Sequence, residues 1–195
     1  MIEECTAIIL AGGDSQRMGS DKARLLLDGQ SLLQRVTATM QQVFPRVVLS
    51  VRQPRPEIDL PQIRDHPSCA GPLAGLASGL AAADTAWVFA VGCDMPFIVP
   101  EVIELLWRRR DDCQAVVPVV QGYPQPLAAF YARTSLGAMR NLLESEGNKS
   151  LQAVLKRLDV CYVEESQLQS VDPCLRSFLD LDTPQDMAAA LHGMY

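Results

Sequence analysis

Three short runs, "CTAIIL" (5–10), "RVVLSV" (46–51) and "AWVFAVG" (86–92), are apolar at nearly every position. A strand with one face in water alternates polar and apolar residues. These runs do not alternate, so they predict strands buried on both faces, as in parallel sheets covered by helices. Helix-periodic stretches separate them. Residues 31–43 place Leu32, Leu33, Val36, Met40 and Val43 on one side, and residues 72–83 do the same with Leu73, Leu76 and Leu80. Residues 100–109 open with a proline suited to a first helical turn and end in arginines that suit the helix dipole. The expected fold class is therefore α/β: a mostly parallel sheet with helices on both faces. "AVVPVV" and "LAAFYA" read as further strands, the first placed at an edge or bulge by Pro118. Helices are expected near 135–144 and 150–158, late strands at "CYVEE" and "FLDLD", and a last helix capped by Thr183. At 195 residues the chain is expected to form a single domain, 1–195. The proline-rich "RQPRPEIDLP" (52–61) is read as a loop inside it.

Composition removes several function classes. The formal net charge is −6 and the pI about 4.9, whereas binding to nucleic acid or to an anionic membrane requires a basic face. No apolar run approaches the ~20 residues of a transmembrane helix. The acidic start "MIEEC" lacks the positive charge of a secretory signal, so a cytoplasmic location is expected. Six cysteines form no C-x-x-C pair, and there are two histidines, which argues against structural zinc and against a disulfide framework.

In open α/β sheets, ligands bind beyond the carboxyl ends of the strands. That rule gives weight to four places expected on one rim: the loop "LAGGDSQRMGSDKA" (10–23), Ser50, Asp65 and Asp94. The loop combines glycines with Arg17 and Lys22. Glycines let backbone N–H groups approach an anion and the cations neutralise it, although a solvated glycine-rich turn has the same composition. It is not a Walker A loop: five residues separate Gly13 from Gly19 and Ser20 stands in the lysine position. Asp94 follows a strand with no other charge. It reads either as a turn cap or as a ligand for Mg²⁺, which takes carboxylate oxygen together with substrate phosphates.

The loop resembles the L-A-G-G-x-S-x-R-M-G-x-D-K pattern of molybdenum cofactor guanylyltransferases of the MobA type. The resemblance continues in order through "GPLAGLASGL" (71–80), "GCDMPF" (92–97), "YPQPLAAFY" (123–131) and "DLDTPQDM" (180–187). It implies a Rossmann-like nucleotidyltransferase fold and transfer of GMP from GTP to the phosphate of molybdopterin, with Mg²⁺ and release of pyrophosphate. Carried onto this chain, Leu10, Ala11, Gly12 and Gly13 hold base and ribose, Arg17 and Lys22 grip the triphosphate, Asp65 binds nucleotide and Asp94 holds the metal. Ser50 stands where the family often has Asn. The lack of a Cβ at Gly12 is expected to let a purine lie against the backbone. "YPQPLAAFY" lines the pterin or is an ordinary strand. Asp180 and Asp182 are expected to share a strand face, with Asp182 a second metal ligand or a helix cap. Lys149 and the run 108–110 read as solvated surface. Protein partners implied by the resemblance are molybdoenzymes or other cofactor-biosynthesis proteins, with no nucleic acid and no membrane.

Two other functions are consistent with parts of the pattern. Cytidylyltransferase relatives use CTP, but they read L-A-A-G at the loop and more often carry Gln where this chain has Met95. A non-catalytic nucleotide- or cofactor-binding adaptor would not require Arg17, Lys22, Asp65 and Asp94 together.

Overall fold

The computed structural model describes residues 1–12, 22–65, 71–181 and 183–191. The chain opens with β1 (Cys5–Leu10), and a small hairpin, β2 (Leu26–Leu27) and β3 (Gln30–Ser31), precedes α1 (Leu32–Val43). Its turn places Asp28 and Gly29 at φ 51° and 81°, the left-handed pair that a two-residue hairpin needs. Ser31 then caps α1 through a reciprocal box. Its Oγ accepts from the Gln34 N–H at 3.1 Å, and Gln34 Oε1 accepts from the Ser31 N–H at 2.9 Å. After α1 come β4 (Arg46–Val51), β5 (Gln62–Arg64), α2 (Pro72–Ala82), β6 (Trp87–Gly92) and α3 (Pro100–Trp107). The second half holds β7 (Ala115–Val120), β8 (Tyr123–Pro124), β9 (Ala129–Ala132), α4 (Leu136–Glu144), α5 (Leu151–Leu155), β10 (Val160–Val163), α6 (Glu165–Leu168) and α7 (Pro184–Leu191).

The main sheet runs β10-β7-β9-β6-β1-β4-β5, with β8 paired to β7. The pairs β1–β4, β1–β6, β4–β5 and β7–β10 are parallel, whereas β9 runs antiparallel to both β6 and β7. The sheet is thus mostly parallel but mixed. The unbroken apolar runs have the expected cause: alternate residues of each central strand enter different cores. Ala7, Ile9, Phe89 and Val91 join one cluster with Leu33, Val36 and Met40 of α1 and Val102, Ile103 and Leu106 of α3. Ile8, Val88 and Ala90 join the other, with Leu73, Leu76 and Leu80 of α2 and Met139 and Leu142 of α4. Helices therefore cover both faces.

Two expectations from the sequence are corrected. Pro118 does not mark an edge, because β7 lies between β10 and β9. The strand changes partners around it: Ala115 and Val116 pair with β9, whereas Val119 and Val120 pair with β8. Pro118 falls in the gap between the two, where a missing N–H breaks neither register. "FLDLD" is not a strand. Its start closes a short 3₁₀ turn (Arg176–Phe178), and Leu181 then buries against Leu27 and Leu32 while its N–H donates to the Asp94 carbonyl at 2.9 Å. Asp180 is therefore not on a strand, and Asp182, expected to share a strand face with it, lies outside the described residues.

Among the described residues Cys5, Cys113, Cys161 and Cys174 are free thiols. Burial pushes the Cys5 thiol well above its usual range, so it stays neutral within the core. No described helix is long and apolar enough to cross a membrane.

Candidate functional site

The chain leaves β1 for β4 and β5 on one side, then returns through α2 to β6 on the other. The order thus reverses at β1, which is the switch point where open α/β sheets bind ligands. A cavity opens there at the carboxyl ends of the strands. Leu10, Ala11, Gly12, Lys22, Ser50, Asp65 and Asp94 all line it. The strand ladders extend to this rim and fix its spacing: the Ala11 N–H donates to Ser50 O at 3.0 Å, Asp65 N–H to Val51 O at 3.1 Å and Cys93 N–H to Leu10 O at 3.2 Å. Gly13, Arg17 and Asp182 lie outside the described residues.

The site has two chemically distinct halves. On the β6 side, Lys22 Nζ stands 3.5 Å from Asp94 Oδ2, with side chains only 19% and 22% exposed. A cation and a carboxylate so shielded stabilise one another's charge, which is what makes a charged carboxylate tolerable there. Gly92 lacks a side chain where the other Asp94 oxygen sits, since a Cβ would collide with Oδ1. On the β4–β5 side, Ser50 Oγ donates to Asp65 Oδ1 at 2.6 Å. A Cβ added to Gly12 would lie 2.6 Å from Asp65 Oδ2. The bare Cα of Gly12 therefore makes room for a carboxylate of the site itself, whereas the sequence pointed to room for a purine.

Residues outside the sequence-derived set complete the wall. Gly71, Pro72 and Gly75 of the α2 start, Cys93, and Leu127 ahead of β9 also line the cavity. Gly71 sits at φ 108°, conformational territory reserved for glycine, and Pro72 opens the helix without any side-chain cap on its first amides. An uncapped helix N-terminus beside a cavity favours an anion. The signal for this was present: Gly-Pro before a helix-periodic run marks such a start. Leu127 arrives because β9 is antiparallel, so the segment before it reaches the same rim where β6 ends. That segment, part of "YPQPLAAFY", is tied down by the buried Tyr131, whose hydroxyl donates to Pro126 O at 2.7 Å. Among the described residues no three His, Cys, Asp or Glu side chains converge into a metal cage. A single carboxylate that shares a cation with substrate phosphates is the donor set Mg²⁺ accepts. Thr183 caps α7, its Oγ1 accepting from the Asp186 N–H at 3.1 Å while Asp186 Oδ2 accepts from the Thr183 N–H at 2.7 Å.

A mixed, mostly parallel sheet with a glycine-started loop, a lysine and a carboxylate at its switch point defines the class of nucleotidyltransferases. The chain belongs to the family of the MobA-like NTP transferase domain, whose model matches residues 7–161. It is 33% identical over 201 residues to a "probable molybdenum cofactor guanylyltransferase" of Methanosarcina acetivorans, covering 95% of this chain and 89% of that protein. It is 32% identical over 193 residues to the molybdenum cofactor guanylyltransferase of Desulfosudis oleivorans, covering 97% and 95%. Among solved structures, the molybdopterin-guanine dinucleotide biosynthesis protein A of Archaeoglobus fulgidus superposes with a TM-score of 0.86 at 26% identity, covering 97% of this chain and 98% of that one.

Proposed function

We infer that this protein transfers GMP from GTP to the terminal phosphate of molybdopterin, with release of pyrophosphate. Family membership and the names of its relatives support the reaction class and the substrates. The observation that carries the reading is one cavity lined at once by the backbone of Leu10–Gly12, the Lys22–Asp94 pair and the Ser50–Asp65 pair.

An oxygen of the molybdopterin phosphate attacks the α-phosphorus of GTP in line. The new P–O bond forms as the bond from the α-phosphorus to the bridging oxygen breaks, and the electron pair leaves with pyrophosphate. A phosphate monoester is already largely ionised near neutral pH, so no general base is required. Leu10, Ala11, Gly12 and Gly13 supply backbone donors and acceptors to the nucleoside, and Asp65 accepts from its N–H or O–H groups. Lys22 exchanges its contact with Asp94 for the phosphates, and with Arg17 it stabilises charge on the leaving pyrophosphate. The start of α2, which carries no side-chain cap, lies beside the same anion. Asp94 is the residue that would hold a divalent cation, Mg²⁺ by its donor chemistry, and such a cation neutralises charge on the α-phosphate when bound. Holding both reactants in line supplies much of the remaining acceleration. Asp182 is proposed as a second carboxylate for the metal.

Calorimetric titration of the protein with GTP, CTP, ATP and UTP in the presence of Mg²⁺ tests this reading. GTP is expected to bind tightest. Tightest binding of CTP would make the chain a cytidylyltransferase, and binding of none would remove the nucleotide site altogether.

A further inference from the structure

Ser50 stands at the end of β4 where direct contact with a nucleotide was expected, yet the residue is only 1% exposed. Its one hydroxyl proton is donated to Asp65 Oδ1 at 2.6 Å. Two glycines from separate elements close around this pair. From α2, a Cβ at Gly75 would lie 2.6 Å from Ser50 Oγ and 3.1 Å from Asp65 Oδ1, and from the end of β1 a Cβ at Gly12 would lie 2.6 Å from Asp65 Oδ2. The carboxylate is thus bounded on both oxygens, by a hydroxyl on one side and by bare backbone on the other. Asp65 itself is the first residue past the short edge strand β5, and nothing in that strand alone would hold its side chain. Gly75 is the fourth residue of α2, where glycine is less favourable than alanine. A helix that carries this cost beside a buried hydroxyl has a packing reason for it.

We propose that Ser50 is a positioning residue: it acts on the nucleotide through Asp65, in a clasp closed by Gly12 and Gly75, and does not itself bind the ligand. This rests on the reading above that Asp65 belongs to the nucleotide site. The buried hydroxyl holds one carboxylate oxygen, so the carboxylate plane is set before ligand arrives. Oδ2 and the remaining lone pairs then face the N–H or O–H donors of a nucleoside. Preorganisation of this kind appears as affinity for the nucleotide and leaves the chemistry at Lys22 and Asp94 untouched.

The test is a double-mutant cycle on the whole chain, read by calorimetric titration of GTP with Mg²⁺ and by kcat at saturating GTP. Ser50→Ala is expected to weaken GTP about tenfold, the scale of one hydrogen bond to a charged group, with kcat nearly unchanged. Asp65→Ala is expected to weaken it at least as much, and the double variant no further than Asp65→Ala alone. Gly75→Ala is expected to reproduce the Ser50→Ala loss with Ser50 intact. If the two losses multiply in the double variant, Ser50 contacts nucleotide independently and the proposal is overturned. If Ser50→Ala binds GTP like the wild type while Asp65→Ala does not, the positioning role fails and the nucleotide site stands. If neither variant loses affinity, the assignment of Asp65 to the nucleotide site falls with it.

Discussion

A shielded carboxylate at the rim of an apolar sheet survives by having a partner, and at this rim there are two such carboxylates with different ones. Asp94 has a cation, Lys22, at 3.5 Å, and Asp65 has a hydroxyl at 2.6 Å. The difference matches the tasks proposed for them, Asp94 at the phosphates and Asp65 in hydrogen bonds to the nucleoside. Asp94→Ala is therefore expected to lower kcat by about a hundredfold or more, the scale seen when one preorganised electrostatic contact is removed. The fold should remain, since Asp94 sits in the loop after β6 and outside either core, and circular dichroism checks that. Near wild-type turnover in Asp94→Ala would end its assignment to the reacting phosphates. Gly12 bears on the same carboxylate. A methyl there would meet Asp65 Oδ2, so its effect is expected to run through that carboxylate. Gly12→Ala should weaken GTP about tenfold in the wild-type background, the scale of a disturbed charged hydrogen bond, and cost little in Asp65→Ala, where the space is vacated. Equal losses in both backgrounds, measured by titration, would return the purine to the face of Gly12.

Elements were legible where burial alone decides them. β1 and β6 face a core on each side, so nearly every position in them is apolar. Helix α1 was legible from its apolar spacing and from Ser31, whose box with Gln34 closes its first turn. Ser31→Ala is expected to destabilise the protein by about 1 kcal/mol, a typical cap loss, and to lower Tm by a few degrees without changing GTP affinity. A variant with unaltered Tm would show that the hairpin before α1 holds the helix start unaided. Misreadings arose where tertiary partners override a local pattern. Pro118 resembles an edge residue only until one sees that β7 trades β9 for β8 at that point. "FLDLD" alternates as a strand should, but Leu181 packs against Leu27 and Leu32 and its N–H donates to the Asp94 carbonyl. No sequence pattern announces a partner that lies so far along the chain.

At the scale of the molecule, one topological event gathers the site. The reversal at β1 places the ends of β1, β4, β5 and β6 on one rim, and the antiparallel β9 brings Leu127 to the same rim from the other side. Leu10–Gly12, Lys22, Ser50, Asp65 and Asp94 could be gathered from sequence because strand ends in an open α/β sheet share an edge. Gly71, Pro72 and Gly75 were missed as site residues because their contribution is backbone and empty space, which no side-chain chemistry signals. The same topology sets the Ser50–Asp65 pair on the β4–β5 side of the cavity and the Lys22–Asp94 pair on the β6 side. The central claim is that this arrangement moves a guanylyl group, and the most direct measurement is kcat/KM for GTP and for CTP with molybdopterin as acceptor and Mg²⁺ present. A clear preference for GTP is expected, with one pyrophosphate released per guanine dinucleotide formed; a preference for CTP, or pyrophosphate released without dinucleotide, would contradict guanylyl transfer.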